Sequence, residues 1–505
     1  EPRGIPSCRR TIFIIMVDDI VFVGQILDNV HGFIPYTDAE EKIIESLYFK
    51  RLQSIKQLSV VNWVFPGSEH TRFIHSLGVM HIADKIAISL GLTCQDRKIV
   101  RLAGLLHDIG HYPLSHVCEA PYKKPIFLED LPDAELCQKV NERVLDEIES
   151  FSVDGKTTLM TKSDGLHHEA IGAFVVKYNQ EIRDIVISEC NNTHAPEIIA
   201  DIITGNVERE ETDPLLVQII HSEFDADGID YLMRDATFSG TSFGSFEIDQ
   251  LIRCLTVGEF ENKKILCIKP KGIAAADQYL INKFFSYSQV VFNKHIVISE
   301  WMAEYVIDWM QKHHAIFPNG KTLESWAKGS GQSEEYLNFT DNMFWAALSR
   351  ILYDDLSDLV PHHIKTFCTY LLRHMEPDFL DEKRIITSDE AEAKSLLKSS
   401  EIAKNEDVRC QRIAILSKKR MTNQMPIEEF RALLQERNCK HEEATPADIS
   451  YLPSPEASRL MECFSVKEAD GSIHLLCDDD RSLMRQMYAC TLVILREYQF
   501  PKDEA

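Results

Sequence analysis

The sequence predicts a mainly α-helical fold with a smaller mixed α+β C-terminal lobe, and three observations carry that reading. Apolar residues return at helical spacing from Ala39 onward, as Ile43, Ile44 and Leu47 do and then Leu52, Ile55 and Leu58, so each segment presents one apolar stripe. Helix punctuation falls between such runs: Gly91 closes a helix over 78–90, and Asp96 stands as N-cap of a second over 96–107 that Gly110 breaks. Strand-like runs are few, namely Lys264-Ile265-Leu266-Cys267-Ile268 and Ile413-Ala414-Ile415-Leu416.

Taken in order, the stretch from Thr11 to Val17 is cut by Asp18-Asp19 before it could span a bilayer, and no small-residue cleavage site follows. It reads as a strand in an extension over 1–24, neither a membrane helix nor a signal peptide. The helical core occupies 25–310. Within it 198–203 and 215–224 read as helices, 258–270 as a strand in a hairpin, and 276–310 as one long helix. The C-terminal lobe covers 311–505, with loops at Asn319-Gly320, at Gly329-Ser330-Gly331 and in the polar run 388–400, and a terminal helix over 480–498. A chain of 505 residues is long enough for two or three packed parts.

A formal charge of -25 argues against bulk nucleic-acid binding, because a polyanion is repelled at long range. Any phosphate ligand must then meet a local basic pocket or a metal. The 13 cysteines form no C-x-x-C pair and fit free thiols in a reducing cytoplasm.

The chemistry gathers in four blocks. They are His70-Thr71-Arg72-Phe73-Ile74-His75-Ser76-Leu77-Gly78, then Leu106-His107-Asp108-Ile109-Gly110-His111, then His167-His168-Glu169, and Asp225-Ala226-Asp227-Gly228-Ile229-Asp230-Tyr231. Phosphoester hydrolysis needs a Lewis acid on a phosphoryl oxygen and a water made nucleophilic near neutral pH. Imidazole with carboxylate ligands, here His75, His107, Asp108 and Asp227, suits Mg, Mn, Fe or Zn. The Asp225-Ala226-Asp227-Gly228 run is no calcium loop, since its glycine is misplaced for one; Asp227, Tyr231 and Asp235 instead share one helical face. His31 and His70 read as core histidines, Asp230 as a solvated or paired carboxylate, Lys56 and Lys294 as surface charges, and Cys118 as a small buried filler.

With these blocks in view, the chain resembles the HD-domain superfamily, and within it the deoxynucleoside triphosphate triphosphohydrolases of the SAM-and-HD-domain kind and their bacterial relatives. The likeness runs from about Gln25 to Met310 and includes Asp28-Asn29-Val30-His31-Gly32-Phe33-Ile34 and Lys50-Arg51-Leu52-Gln53-Ser54-Ile55-Lys56-Gln57-Leu58. It implies that His75, His107, Asp108 and Asp227 bind a divalent metal and that His111 and His116 face the phosphates. It further implies His168 as general acid with Glu119 orienting it, Arg72 neutralising phosphate charge, Tyr231 and Asp235 facing the sugar, and Gln57 and Leu58 at the sugar edge and base. The implied reaction is attack of water at the α-phosphorus of a dNTP, releasing deoxynucleoside and inorganic triphosphate. The acidic charge and the basic spots Lys123-Lys124, Lys269-Pro270-Lys271 and Lys418-Lys419-Arg420 are compatible with a homo-oligomer, dimer or tetramer, that holds nucleotides between subunits.

This sequence departs from that pattern at named points. Gly228 stands where the family has a lysine, Ser59-Val60-Val61-Asn62 replaces a glycine-rich segment, and Val291 takes the place of a tyrosine. Gln53 replaces an arginine that reads guanine at an activator site, and Phe33 another residue near it. Two alternatives therefore stand beside the first reading: a phosphohydrolase or phosphodiesterase for another nucleotide, and a catalytically silent nucleotide sensor. The H-H-E-x-x-D-G-x-G-Y-P and H-D-x-x-E-D patterns of cyclic-dinucleotide and alarmone hydrolases are absent.

Overall fold

The computed structural model describes residues 15–17, 20–123, 148–153, 156–161, 167–207, 209–260, 262–313, 317–329, 334–353, 360–388, 412–421 and 464–500. Its centre is a pair of helices, Arg72–Leu90 and Cys94–Leu106. Gly91 ends the first with φ 69°, the left-handed conformation that suits a residue without Cβ. That helix starts at Arg72, upstream of where the apolar periodicity begins, because His75 and Ser76 turn polar side chains into the protein. The second helix starts at Cys94 and its cap is Thr93: the Thr93 hydroxyl accepts the Asp96 N–H at 3.2 Å while the Asp96 carboxylate accepts the Thr93 N–H at 3.4 Å. Asp96, expected as the cap, is thus the other half of a capping box.

A buried ion network ties this pair to the helix Asp38–Glu45. Arg101 is fully buried and donates to Glu40 through Nε and Nη2, each at 2.7 Å, and to Asp84 through Nη1 at 2.8 Å. Arg97 adds a 2.9 Å bond to Asp84. Such a network costs desolvation, and removing one member would strand the rest, at about 3–5 kcal/mol.

Helices Ala195–Thr204, Pro214–Ile220 and Ala226–Ser239 complete the core. The expected helix over 215–224 stops at Ile220, since Asp225 takes the Ser222 N–H and the Gly228 N–H and caps the next helix. The helix expected over 276–310 is two, Ile273–Ser286 and Lys294–His313, separated by a π turn over Tyr287–Val291. Arg72–Leu90 is long and apolar enough to cross a membrane by length and composition; most of it is buried within the protein.

The expected hairpin is present as Leu255–Phe260 paired with Lys263–Ile268. Ser465–Lys467 adds parallel to it and Ile473–Leu475 extends the sheet to four strands. In the C-terminal lobe, Arg412–Arg420, Thr491–Gln499 and Asp378–Thr387 form an antiparallel sheet with Thr491–Gln499 in the middle. The terminal helix expected over 480–498 is therefore wrong. Only the turn Met484–Met487 is helical, and the run Thr491–Arg496 is buried throughout, a pattern that does not distinguish a two-sided strand from a buried helix.

Asn319-Gly320, expected as loop, opens the helix Gly320–Lys328, whose Thr322 N–H bonds the Asn319 side chain at 2.9 Å. Of the first expected strand, Ile15–Val17 pairs with Ile20–Phe22, and residues 11–14 lie outside the described residues, as do Ser330, Gly331 and the polar run beyond Ser388.

Candidate metal centre

Three helices converge on one point. His75 comes from the first turn of Arg72–Leu90, His107 and Asp108 from the end of Cys94–Leu106, and Asp227 from the first turn of Ala226–Ser239. Ligating atoms of His75, His107 and Asp108 lie within 4.8 Å of one another. His75 Nε2 stands 2.9 Å from Asp227 Oδ1 and 3.8 Å from Asp108 Oδ2, and His107 Nε2 stands 3.4 Å from Asp108 Oδ1. The Asp108 side chain is 1% exposed and that of Asp227 is 37%, so the cluster is closed on one side and open on the other.

The second ring nitrogens decide whether these residues fit a cation. His107 Nδ1 lies 2.8 Å from the Gly104 carbonyl and His75 Nδ1 lies 2.7 Å from Asp230 Oδ2. Both acceptors demand a proton on Nδ1, which leaves a lone pair on each Nε2. Both Nε2 atoms are buried and make no hydrogen bond. Two lone pairs facing two carboxylates across a few ångströms is an arrangement that a divalent cation satisfies. Burial disfavours charge on the His75 ring, but Asp227 and Asp230 prevail and raise its pKa to about 10. Burial likewise opposes the charge on Asp108, yet Arg72 and the neighbouring imidazoles hold its carboxyl well below the usual range.

Asp230 is the residue the sequence reading placed outside the site. It is fully buried and also takes His31 Nε2 at 2.5 Å and Arg234 Nε at 2.8 Å, and Arg234 continues to Asp28 at 2.8 Å. Asp28 and His31 belong to the turn between the strands Gly24–Asp28 and Gly32–Tyr36. Gly78 makes room for this: a Cβ there would sit 1.9 Å from Asp230 Oδ1. The signal was present in the sequence as the Asp28-x-x-His31 block, but nothing local says which carboxylate it meets.

The expected phosphate-facing residues lie beside the metal cluster. A Cβ on Gly110 would meet Gly172 N at 2.1 Å and His168 O at 2.2 Å, so the glycine of the His-Asp-Ile-Gly-His turn lets the helix His168–Tyr178 press against it. The His111 and His168 rings consequently pack with centroids 4.2 Å apart. Glu119, fully buried, spans two imidazoles: Oε2 lies 2.9 Å from His116 Nδ1, and Oε1 lies 2.9 Å from both the backbone N and the Nδ1 of His168. Burial opposes protonation of His168, but Glu119, with Glu169 and Asp108 nearby, raises its pKa. His168 Nε2 then points a proton toward the centre, 3.8 Å from Asp108 Oδ1.

His111 differs in tautomer. Its Nδ1 accepts the Tyr112 N–H at 3.0 Å, so the neutral ring carries its proton on Nε2, and burial keeps it neutral by lowering its pKa well below the ordinary value. His111, His116 and His168 have ligating atoms close enough to hold a second ion. A proton on His111 Nε2 argues against that and makes the atom a donor to an anion. Arg72 is buried, bonds Asp108 Oδ2 at 2.9 Å and takes support from Ser115 Oγ at 3.0 Å.

Of the expected sugar and base contacts, Gln57 and Asp235 are buried, and Leu58 and Tyr231 are half-buried. Asp235 is held by His70 Nε2 at 2.8 Å, while the Gln57 Oε1 is buried without a partner. His31 and His70 thus bond carboxylates in the interior. At Gly228 a Cβ would lie 2.3 Å from the Tyr279 hydroxyl and 2.9 Å from Asp225 Oδ1. A lysine does not fit there in this packing, and a nearby cation is the half-buried Lys283, 5.8 Å above the Tyr279 ring. Sequence reasoning missed it. Val291 ends the π turn, Gln53 is exposed, and Phe33 is 60% exposed.

Comparison with known proteins agrees with this geometry. Residues 72–230 match the model of the HD domain. The chain is similar to an uncharacterized protein of Methanocaldococcus jannaschii, 30% identical over 277 residues that make up 55% of this chain and 48% of that protein. It is also similar to the deoxynucleoside triphosphate triphosphohydrolase SAMHD1 of Bos taurus, 30% identical over 266 residues, 49% of this chain and 40% of that one. The chain thus spans about half the length of curated relatives it matches. Among solved structures, a hypothetical protein from Aquifex aeolicus superposes with a TM-score of 0.60 at 22% identity, over 94% of this chain and 96% of the other, which speaks for the fold. The matched segment, with its paired histidines and carboxylates converging from separate helices, places an HD domain within this chain over residues 72–230.

Proposed function

We propose that the chain is a metal-dependent triphosphohydrolase that cleaves dNTPs to deoxynucleoside and inorganic triphosphate, working in the cytoplasm as a dimer or tetramer. The observation that carries it is the placement of a proton-bearing, Glu119-clamped His168 beside a cluster fit for a cation. His75, His107, Asp108 and Asp227 would hold a divalent ion, Mg, Mn, Fe or Zn. Bound there, it supplies a Lewis acid for a phosphoryl oxygen and lowers the pKa of a bound water.

The remaining work falls to the chain's own groups. Arg72 offsets negative charge on the phosphates, and His111 donates its Nε2 proton to a phosphate oxygen. Water attacks the α-phosphorus and releases a proton to solvent, the bond from phosphorus to the 5′ oxygen breaks, and His168 delivers its proton to that leaving oxygen. Glu119 holds His168 and His116 in place. Tyr231 and Asp235 face the sugar, and Gln57 and Leu58 its edge and the base. One feature favours a different nucleotide substrate: Gly228 and the Tyr279 hydroxyl occupy the space of a family lysine.

Purified protein with Mg, Mn or Co is to be assayed on all four dNTPs, resolving triphosphate from pyrophosphate, with Asp108→Ala as control. Triphosphate release that vanishes in the control supports the reading. Pyrophosphate or monophosphate as the product, or no turnover of any dNTP, overturns it.

A further inference from the structure

One carboxylate outside the reaction scheme reaches the phosphate-facing turn from far along the chain. Asp341 opens the helix Asp341–Tyr353 and is buried. Its Oδ1 accepts the Leu114 N–H at 2.7 Å and its Oδ2 accepts the Lys56 N–H at 3.0 Å. Leu114 and Ser115 have φ of 52° and 55°, a left-handed conformation that two consecutive non-glycine residues keep only when their surroundings fix it. Ser115 passes the constraint inward: its hydroxyl donates to the Lys56 carbonyl at 2.7 Å and accepts Arg72 Nε at 3.0 Å. His116 is the next residue. The same segment grips the other end of the turn through Arg51, which donates to the Ile109 and His111 carbonyls at 3.0 and 2.8 Å and to the Phe339 carbonyl at 2.6 Å.

We propose that Asp341 is a positioning residue for phosphoester hydrolysis, clamping the Leu114 and Lys56 amides so that Ser115, Arg72 and His116 are held toward the phosphates. The inference rests on the hydrolytic reading of the centre. A carboxylate suits two N–H donors at once, whereas an amide offers one acceptor and turns its own NH2 on the second donor.

The test uses the full chain, metal-loaded, as Asp341→Ala and Asp341→Asn. Metal content, kcat and KM are measured on dNTP, or on bis(4-nitrophenyl) phosphate if the parent ignores dNTPs, together with the ring resonances of 15N-histidine-labelled protein. The expected result is parental metal content, kcat lower by about tenfold or more, raised KM and a shifted His116 ring resonance in Asp341→Ala, with Asp341→Asn intermediate. Parental kcat and KM with an unmoved His116 resonance overturns the proposal. If Asp341→Ala does not fold, Asp341→Asn decides on the same criteria. Should the parent turn over neither substrate, the hydrolytic reading fails by itself and the His116 resonance alone judges the clamp.

Discussion

Asp230 Oδ2 lies 2.7 Å from His75 Nδ1, and that bond determines which nitrogen of His75 is free to meet a cation. The same carboxylate is shared with His31 and Arg234, so the ring is oriented by a network that reaches the N-terminal hairpin. Asp230→Asn keeps an acceptor for one donor but loses the charge and turns an NH2 on another. Metal affinity should fall by about 10- to 100-fold, the usual range for loss of a partner behind a ligating histidine. Chelator competition on folded protein measures it. Unchanged affinity would mean that Asp230 does not tune the ligand.

His168 and Glu119 should separate catalysis from metal binding. His168→Ala removes the proton donor and leaves the four candidate ligands, so metal content should persist while kcat drops by about 10²-fold or more. Glu119→Ala should act in the same direction but less severely, because Glu119 orients the ring and does not transfer the proton. Parental turnover in both variants, with metal bound, would deny the pair any catalytic part.

How far the sequence carried this picture depended on whether the information was local. His107-Asp108 are adjacent, and His75 follows Arg72 within one turn, so the cluster announced itself as short blocks. Asp230 did not, because a carboxylate on a helix looks alike whether it faces solvent or a histidine 155 positions away. Asp341 is farther still, 227 positions from Leu114. The strand Thr491–Gln499 was misread as helix for a similar reason: its partner Asp378–Thr387 is distant in the chain, and a run buried on both faces has no alternation to read. The π turn at Tyr287–Val291 left no glycine or proline behind to mark the break.

Gly228 gives a prediction about packing. Its Cβ position lies 2.3 Å from the Tyr279 hydroxyl, and that hydroxyl is buried without a partner. Gly228→Ala should therefore destabilise the fold by about 1–3 kcal/mol through overpacking, and Tyr279→Phe should relieve part of it. Denaturant unfolding of the two single variants and the double variant gives the coupling. Strict additivity would show that the two groups do not collide.

Glu300 supplies the pH dependence. Burial, with the charge of Glu304 beside it, pushes its pKa up to about 8 from an ordinary 4.5. A carboxyl whose pKa is raised by folding contributes stability that is fully present below about pH 4.5 and is lost as pH rises through 8. Glu300→Gln cannot ionise and escapes that loss. The difference in Tm between variant and parent should thus grow in favour of the variant from pH 5 to pH 9. A difference that is constant across this interval, or that shrinks, would place the Glu300 pKa in the normal range.

Regulation is the last prediction and rests on Gln53 and Phe33. Gln53 sits exposed in the single turn Arg51–Ser54, and Phe33 is 60% exposed on the hairpin strand Gly32–Tyr36. The resemblance puts an arginine at position 53, whose guanidinium fork would read a guanine edge by paired hydrogen bonds, and an uncharged amide reproduces neither that geometry nor the charge. Phe33 likewise changes a position near the same surface. Turnover should therefore proceed without GTP. Rates on a single dNTP, with and without GTP and over a range of enzyme concentrations, separate activation from assembly. An absolute requirement for GTP at every concentration would show that other residues build an activator site here.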